Sequence, residues 1–291
     1  MSIKAILVPI EGIEHDIHAL RGALRLAQSN NAHVTALLAQ PTEEDFAVTW
    51  ARYSMISPPV GLLAEIGQDA RSREHAAAQL LERAAREFGA PVVPADQVEA
   101  PPFSASLLVE RGYLTRAVAA ISPFHDVVVL GNDPDGVDIL PLDGSLLEAT
   151  LLMGRRPALL VPKLAHDMVP SQVVIAWSGS IEGAQAVKSA LPFLSQADNV
   201  YVLRIGEADC PESHDRMLMN YLRLHGIPAE LRIVEHSQHS TGTSLLSAAT
   251  DLQTDLLVMG GYTHGPLRQS MLGGVTRHVL KHAPVPVLMA H

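Results

Sequence analysis

Two stretches of this chain set glycines beside hydroxyl groups at matching spacings. Gly131 and Gly144 stand 13 residues apart with Ser145 next in line, and Gly260 and Gly273 stand 13 apart with Gly274 following and Thr276 two residues further on. Glycine tolerates positive φ and, lacking a Cβ, lets an anion approach the backbone. A neighbouring hydroxyl donates one more hydrogen bond to a phosphate oxygen. Each stretch follows a hydrophobic run, "DVVVLG" or "DLLVMG", and leads into a helical pattern. That order brings loop amides and a helix N-terminus to the carboxyl edge of a parallel sheet, where a phosphate is favoured. Glu11, closing the first run "KAILVPIE", suits the sugar or base of a nucleotide laid across that edge.

Other groupings carry less. Of 14 histidines, His278 and His282 lie at i, i+4 on the last helical segment, and His236 and His239 lie in a loop. Neither pair is assigned a metal: His278 and His282, which lack the His-Glu arrangement of a zinc protease helix, are read as bordering the packed face or the dimer-like seam, and His236 and His239 as polar loop residues. "WSGS", Trp177 to Ser180, lacks the flanking glycines of a serine elbow and reads as a strand-end turn, with Trp177 as a packing residue. No catalytic residue is assigned. The formal net charge of -10 and the lack of a basic run argue against nucleic acid as a partner. No apolar run approaches the roughly 20 residues that span a bilayer. The opening "MSIKAILVPIEG" reaches an acidic residue too early for a secretory leader, and Cys210 is the single cysteine, so the cytoplasm is the expected compartment.

Positioning these residues requires strands and helices in alternation, and the sequence writes that plan twice. In the first half the expected strands are "KAILVPIE", "AHVTALLAQ", "PVVPADQVEA", "DVVVLG" and "PALLVPK". The helices fall after the first strand, through Ile17, Leu20, Leu24 and Ala27, then in "SREHAAAQLLERAAREF", "SASLLVERGYLTRAVAAI" and "GSLLEATLLMG". The second half repeats the order with "QVVIAWSG", a helix facing inward through Ala184, Val187, Leu191 and Leu194, then "NVYVLRIG", "DRMLMNYLRLHG", "AELRIVEH", "TSLLSAATDLQ", "DLLVMG" and a final helix and strand. Each half thus has five strands and four helices. The first carries 38 extra residues, most of them between its second and third strands, around Trp50, Tyr53, Met55, Pro58 and Pro59. They read as an insertion that packs on its own domain, a partner or ligand contact being the alternative. Domains are expected at 1–164 and 172–291, with a short linker between.

In this order of elements, and in "ILVPIEG" and "LGGVTRHVLKHAPVPVLM", the chain resembles the universal stress protein family over almost its whole length. The resemblance implies an α/β fold: two tandem five-stranded parallel-sheet, Rossmann-like domains forming an intrachain pseudo-dimer, their closing strands paired, with further homodimerisation possible. ATP-binding members of the family carry G-x2-G-x9-G-(S/T) after the fourth strand and an Asp at the end of the first. Both halves depart from that pattern. In the first, Gly131, Gly144 and Ser145 match, Pro134 replaces the middle glycine, and Glu11 stands for the Asp. Proline removes an amide donor and holds φ near -65°. In the second, Gly260 and Gly273 match, Thr263 replaces the middle glycine, Gly274 replaces the hydroxyl residue and Ser178 replaces the acid. The expectation is a non-enzymatic stress-response protein with degenerate nucleotide sites and no required cofactor, acting through an unidentified ligand or protein partner. ATP binding, with or without slow hydrolysis, by the first domain is one alternative. A different small ligand in the second-domain cleft is the other.

Overall fold

The computed structural model describes residues 2–42, 45, 60–97, 101–132, 145–163, 170–205, 211–234, 240–261 and 274–291. Among them the first repeat contains β1 (Ala5–Ile10), α1 (Ile17–Asn30), β2 (His33–Gln40), α2 (Val60–Phe88), β3 (Ser104–Arg111), α3 (Leu114–Ile121), β4 (Val127–Asn132), α4 (Leu146–Glu148), continued by a π-helical turn, and β5 (Ala158–Pro162). The second contains β6 (Gln172–Ala176), α5 (Ile181–Leu194), β7 (Asn199–Ile205), α6 (Glu212–Leu224), β8 (Glu230–Val234), α7 (Thr241–Asp251), β9 (Leu256–Gly260), α8 (Gly274–His282) and β10 (Val287–Ala290). Among the described residues these elements give each repeat five strands with helices between them, as the alternation of patterns requires.

The chain forms two compact units, one of Lys4–Leu130 with Asp138–Gly154, the other of Met1–Ile3, Gly131–Val137 and Arg155–His291. In the first unit the strands run β3-β2-β1-β4, all parallel. In the second they run β5-β10-β9-β6-β7-β8, parallel throughout except where β5 meets β10. There the closing strands of the two repeats pair antiparallel, with Leu288 opposite Leu159, so β5 belongs in sequence to the first repeat and in space to the second unit. Strands covered on both faces must be apolar on both faces. Leu7, Val8, Val128, Val129, Val173, Val174, Leu257 and Val258 are all fully buried.

The repeated aspartate before the fourth strand of each half has a structural role. Asp126 Oδ2 accepts from the amides of Lys4 (2.7 Å) and Ala5 (3.0 Å), and Asp255 Oδ2 accepts from those of Ser171 (3.0 Å) and Gln172 (2.8 Å). Each carboxylate thus satisfies the entering amides of the neighbouring strand through charge-assisted bonds.

Four expectations are corrected. The third strand is "SASLLVER", not "PVVPADQVEA". Pro91 and Pro94 cannot donate to a ladder, so that stretch keeps one bridge, Val92 to Ala105, while β3 pairs along its whole length with β2. The helix expected over the same residues shrinks to α3 because Gly112, at φ 107°, turns the chain before Leu114. The helix expected from Ser72 begins at Val60. Finally, α1 buries the predicted Ile17, Leu20, Leu24 and Ala27, whereas α5 is rotated: Ala184 is exposed, Leu191 is only half-buried, and Gly183, Ala186, Val187, Ala190, Phe193 and Leu194 face inward. The small residues let α5 lie close on the sheet, a preference that counting large apolar side chains does not register.

Candidate functional site

The loop that leaves β1 turns sharply at Gly12, whose φ is 79° and where a Cβ would lie 2.7 Å from the Arg73 carbonyl oxygen of α2. The turn aims three successive amides at one point. Those of Glu11 (3.1 Å), Gly12 (2.8 Å) and Ile13 (2.9 Å) all donate to Asp16 Oδ2. Such an amide nest is the kind of concavity that binds a phosphate oxygen, and here the chain's own carboxylate fills it. Burial pushes the Asp16 carboxyl up from its ordinary value, against the downward pull of the three amides. Glu11 itself is exposed beside the nest.

Gly131, in β4, is exposed. Ser145 caps α4, its Oγ accepting from the Glu148 amide at 3.0 Å. One acceptor function of that hydroxyl is thereby committed to the helix. Gly144, Pro134, Thr263, Gly273, His236, His239 and the insertion residues Trp50, Tyr53, Met55, Pro58 and Pro59 lie outside the described residues.

The second repeat ends β6 in the same register. Ser178 and Gly179 stand where Glu11 and Gly12 stand in the first, and Gly179 also has positive φ, 73°. No aspartate follows. Instead Ser180 caps α5, accepting from the Gly183 amide at 3.0 Å and from Ser178 Oγ at 3.2 Å. Among the described residues no imidazole or carboxylate is hydrogen-bonded to Ser178, which an activated nucleophile requires.

Gly260, at the end of β9, faces the start of α5: a Cβ there would lie 2.6 Å from the Gly183 amide nitrogen and 2.7 Å from the Glu182 carbonyl carbon. Its lack of a side chain serves helix packing. Glu182, in the first turn of α5, is buried at 5% exposure beside it, so Ser178 does not leave this strand end without an acid. A carboxylate in the first turn is also favoured by the helix dipole. Gly274 opens α8 with no atom of the described residues within 4 Å of a built Cβ, and Thr276, two residues on, is buried at 8% exposure. Below the same edge, Trp177 Nε1 donates to Asp215 Oδ1 at 3.0 Å and Arg204 Nη1 donates to Asp215 Oδ2 at 2.6 Å, all three side chains being buried. Trp177 is thus a packing residue with a polar anchor on α6.

The structure therefore gathers Ser178, Gly260 and the start of α5 around a reshaped strand end. It also reveals Asp16, Glu182 and the Arg204–Asp215 pair, which motif matching missed. The one sequence clue was the repeat register of Gly12 with Gly179. The rings of His278 and His282 lie with centroids 4.4 Å apart and planes tilted by 32°, His282 Nδ1 bonding the His278 carbonyl at 2.9 Å and His278 Nε2 lying 3.4 Å from Thr243 Oγ1. Among the described residues no group of three or more His, Cys, Asp or Glu is placed to hold a metal, and no helix is long and apolar enough to cross a membrane.

The model of the universal stress protein family matches residues 2–113 and 212–291, more than half of the chain. The chain belongs to the universal stress protein family. Among solved structures, this universal stress protein is similar over 99% of its length to one from Archaeoglobus fulgidus DSM 4304, at 16% identity, 96% coverage of that chain and a TM-score of 0.69. It is similar over 99% of its length to a functionally unknown protein from Pseudomonas aeruginosa PAO1, at 16% identity, 92% coverage of that chain and a TM-score of 0.61. At such identities the likeness is one of fold. No curated protein matches the chain in sequence.

Proposed function

We propose that this universal stress protein acts without catalysis, in the cytoplasm, by binding a ligand or a protein partner, and that its two nucleotide sites have decayed. The observation that carries this reading is the amide nest after β1, whose three donors are already satisfied by Asp16. A nucleotide whose sugar or base is laid on this strand end would find those donors taken and would have to displace a covalently tethered competitor. The second repeat supports the same conclusion, since Gly260 is committed to the approach of α5. Calorimetric titration of the purified protein with ATP and magnesium tests the reading. The expected result is no heat of binding at micromolar nucleotide; micromolar affinity abolished by Gly144→Val would establish the alternative, nucleotide binding through Glu11, Gly131, Gly144 and Ser145.

A second reading draws on the exposed Ser178 and the open space at Gly274. In it the second-repeat cleft takes a different small ligand, held by hydroxyl and amide groups beside the buried Glu182. Recovery of a non-nucleotide small molecule from denatured protein, lost when Ser178 is changed to Val, would favour it.

A further inference from the structure

Sheets end in strands whose outer backbone groups lack partners, and proteins protect or use such edges. The edge of the first repeat is protected at its start. Val93 donates its amide to the Ala105 carbonyl (2.8 Å) and Ala105 donates to the Pro91 carbonyl (2.9 Å), so a proline-flanked segment covers the outer side of β3. The edge of the second repeat is β8, and among the described residues no strand pairs with its outer side.

Three features of β8 fit a second copy of itself. The first is charge. Glu230 and Arg232 flank Leu231 on one face, joined by contacts of 2.8 and 3.2 Å, with the Arg232 guanidinium 4.7 Å from the Tyr201 ring centroid. In an antiparallel pair with its two-fold axis at Leu231, Glu230 of each copy stands opposite Arg232 of the other. Directly opposed unlike charges stabilise such a pair.

The second feature is shape. Ile233 is in register with Arg204, and Arg204 reaches Asp215 of α6, so Ile233 lies on the face that α6 covers. It is nonetheless 58% exposed. Side chains alternate along a strand, which puts Ala229 and Leu231 on this face as well. The third feature lies at the other end of the same face. A cavity of about 630 Å³ opens there, its lining including Met219, Asn220 and Arg223 of α6 with Ile227 and Ala229. The same two-fold register sets Ile233 of one copy opposite Ala229 of the other, at the mouth of that cavity.

We infer that β8 is a homodimerisation edge: two copies of this chain pair antiparallel about Leu231, exchanging Glu230–Arg232 contacts on one face and seating Ile233 at the Ala229 cavity on the other. This surface is distinct from the β5–β10 seam within the chain. A five-residue edge with one apolar knob per copy makes a small interface, and the dissociation constant expected is on the order of 10 to 100 µM.

Sedimentation equilibrium of the full chain tests the inference. The wild type is expected to show a reversible monomer–dimer equilibrium. Arg232→Glu sets glutamates against glutamates and Glu230→Arg sets arginines against arginines, so each alone is expected to weaken dimerisation by more than about tenfold. An equimolar mixture of the two variants restores the opposed charges and is expected to recover dimer as the heterodimer, a readout that damage to either fold cannot imitate. Ile233→Asp, checked for a wild-type thermal transition, is expected to be monomeric. A wild type that stays monomeric at several hundred micromolar, a dimer indifferent to Arg232→Glu, or a mixture that stays monomeric would each overturn the inference.

Discussion

A methyl group added at Gly260 would collide with backbone atoms of Glu182 and Gly183 at the start of α5, and backbone cannot rotate aside as a side chain can. Gly260→Ala is therefore expected to cost about 1 to 3 kcal/mol through overpacking. At Gly274 the same substitution meets no atom of the described residues and removes a flexible residue from a helix, so stability is expected to hold or rise by up to about 1 kcal/mol. Urea unfolding of the two variants checks the contrast. Equal losses at both would show that Gly260 has no special packing role. Gly260 matches the first glycine of the family motif and Gly274 stands at its terminal hydroxyl position, yet their surroundings differ, and the motif alone does not separate packing from ligand approach. Asp16 teaches the same point. Its spacing from Glu11 looks like ordinary loop sequence, and only the φ of 79° at Gly12 turns three amides toward one carboxylate oxygen.

At the scale of elements, the amino ends of β2 and β3 are tied by a histidine. His33 Nδ1 lies 2.7 Å from Ser104 Oγ and Nε2 lies 2.9 Å from Ser106 Oγ, both serines being buried, while nearby His125 bonds Thr35 Oγ1 at 3.1 Å. Burial, with a smaller push from His125, holds the His33 imidazole below its ordinary value of 6.5. The folded state then binds fewer protons than the unfolded state. The stabilisation is fully present above pH 6.5 and is lost as pH falls below that value toward the depressed folded one. Urea midpoints measured between pH 8 and pH 5 are expected to fall with acid in the wild type and to fall less in His33→Gln. Identical slopes would remove His33 from the account. Element types were legible wherever hydrophobic period and length agreed, as in α1 and the central strands. They were misread at β3, where Leu107, Leu108 and Val109 in "SASLLVER" satisfy either period and pairing with β2 decides the outcome.

At the scale of the whole molecule, β5 is made by the first repeat and used by the second unit. A fragment of residues 171–291 leaves the β10 edge bare, with Val287, Leu288 and Met289 in it, whereas a fragment of residues 155–291 supplies β5. The shorter fragment is expected to self-associate and to melt lower than the longer one, by gel filtration and thermal denaturation. Equal behaviour would mean that β5 adds nothing to the stability of that unit. The sequence by itself determined the class of fold, the duplication and the alternation of strands and helices, because these follow from hydrophobic period and from turn residues acting locally. It also located the strand-end loops, since each glycine stretch adjoins a buried hydrophobic run. Only the tertiary structure decided what the described strand ends meet. Whether an amide faces a ligand or Asp16 turns on the φ of Gly12, four residues away, and whether a glycine admits a phosphate or the start of α5 depends on the approach of segments distant in sequence, which no local pattern encodes.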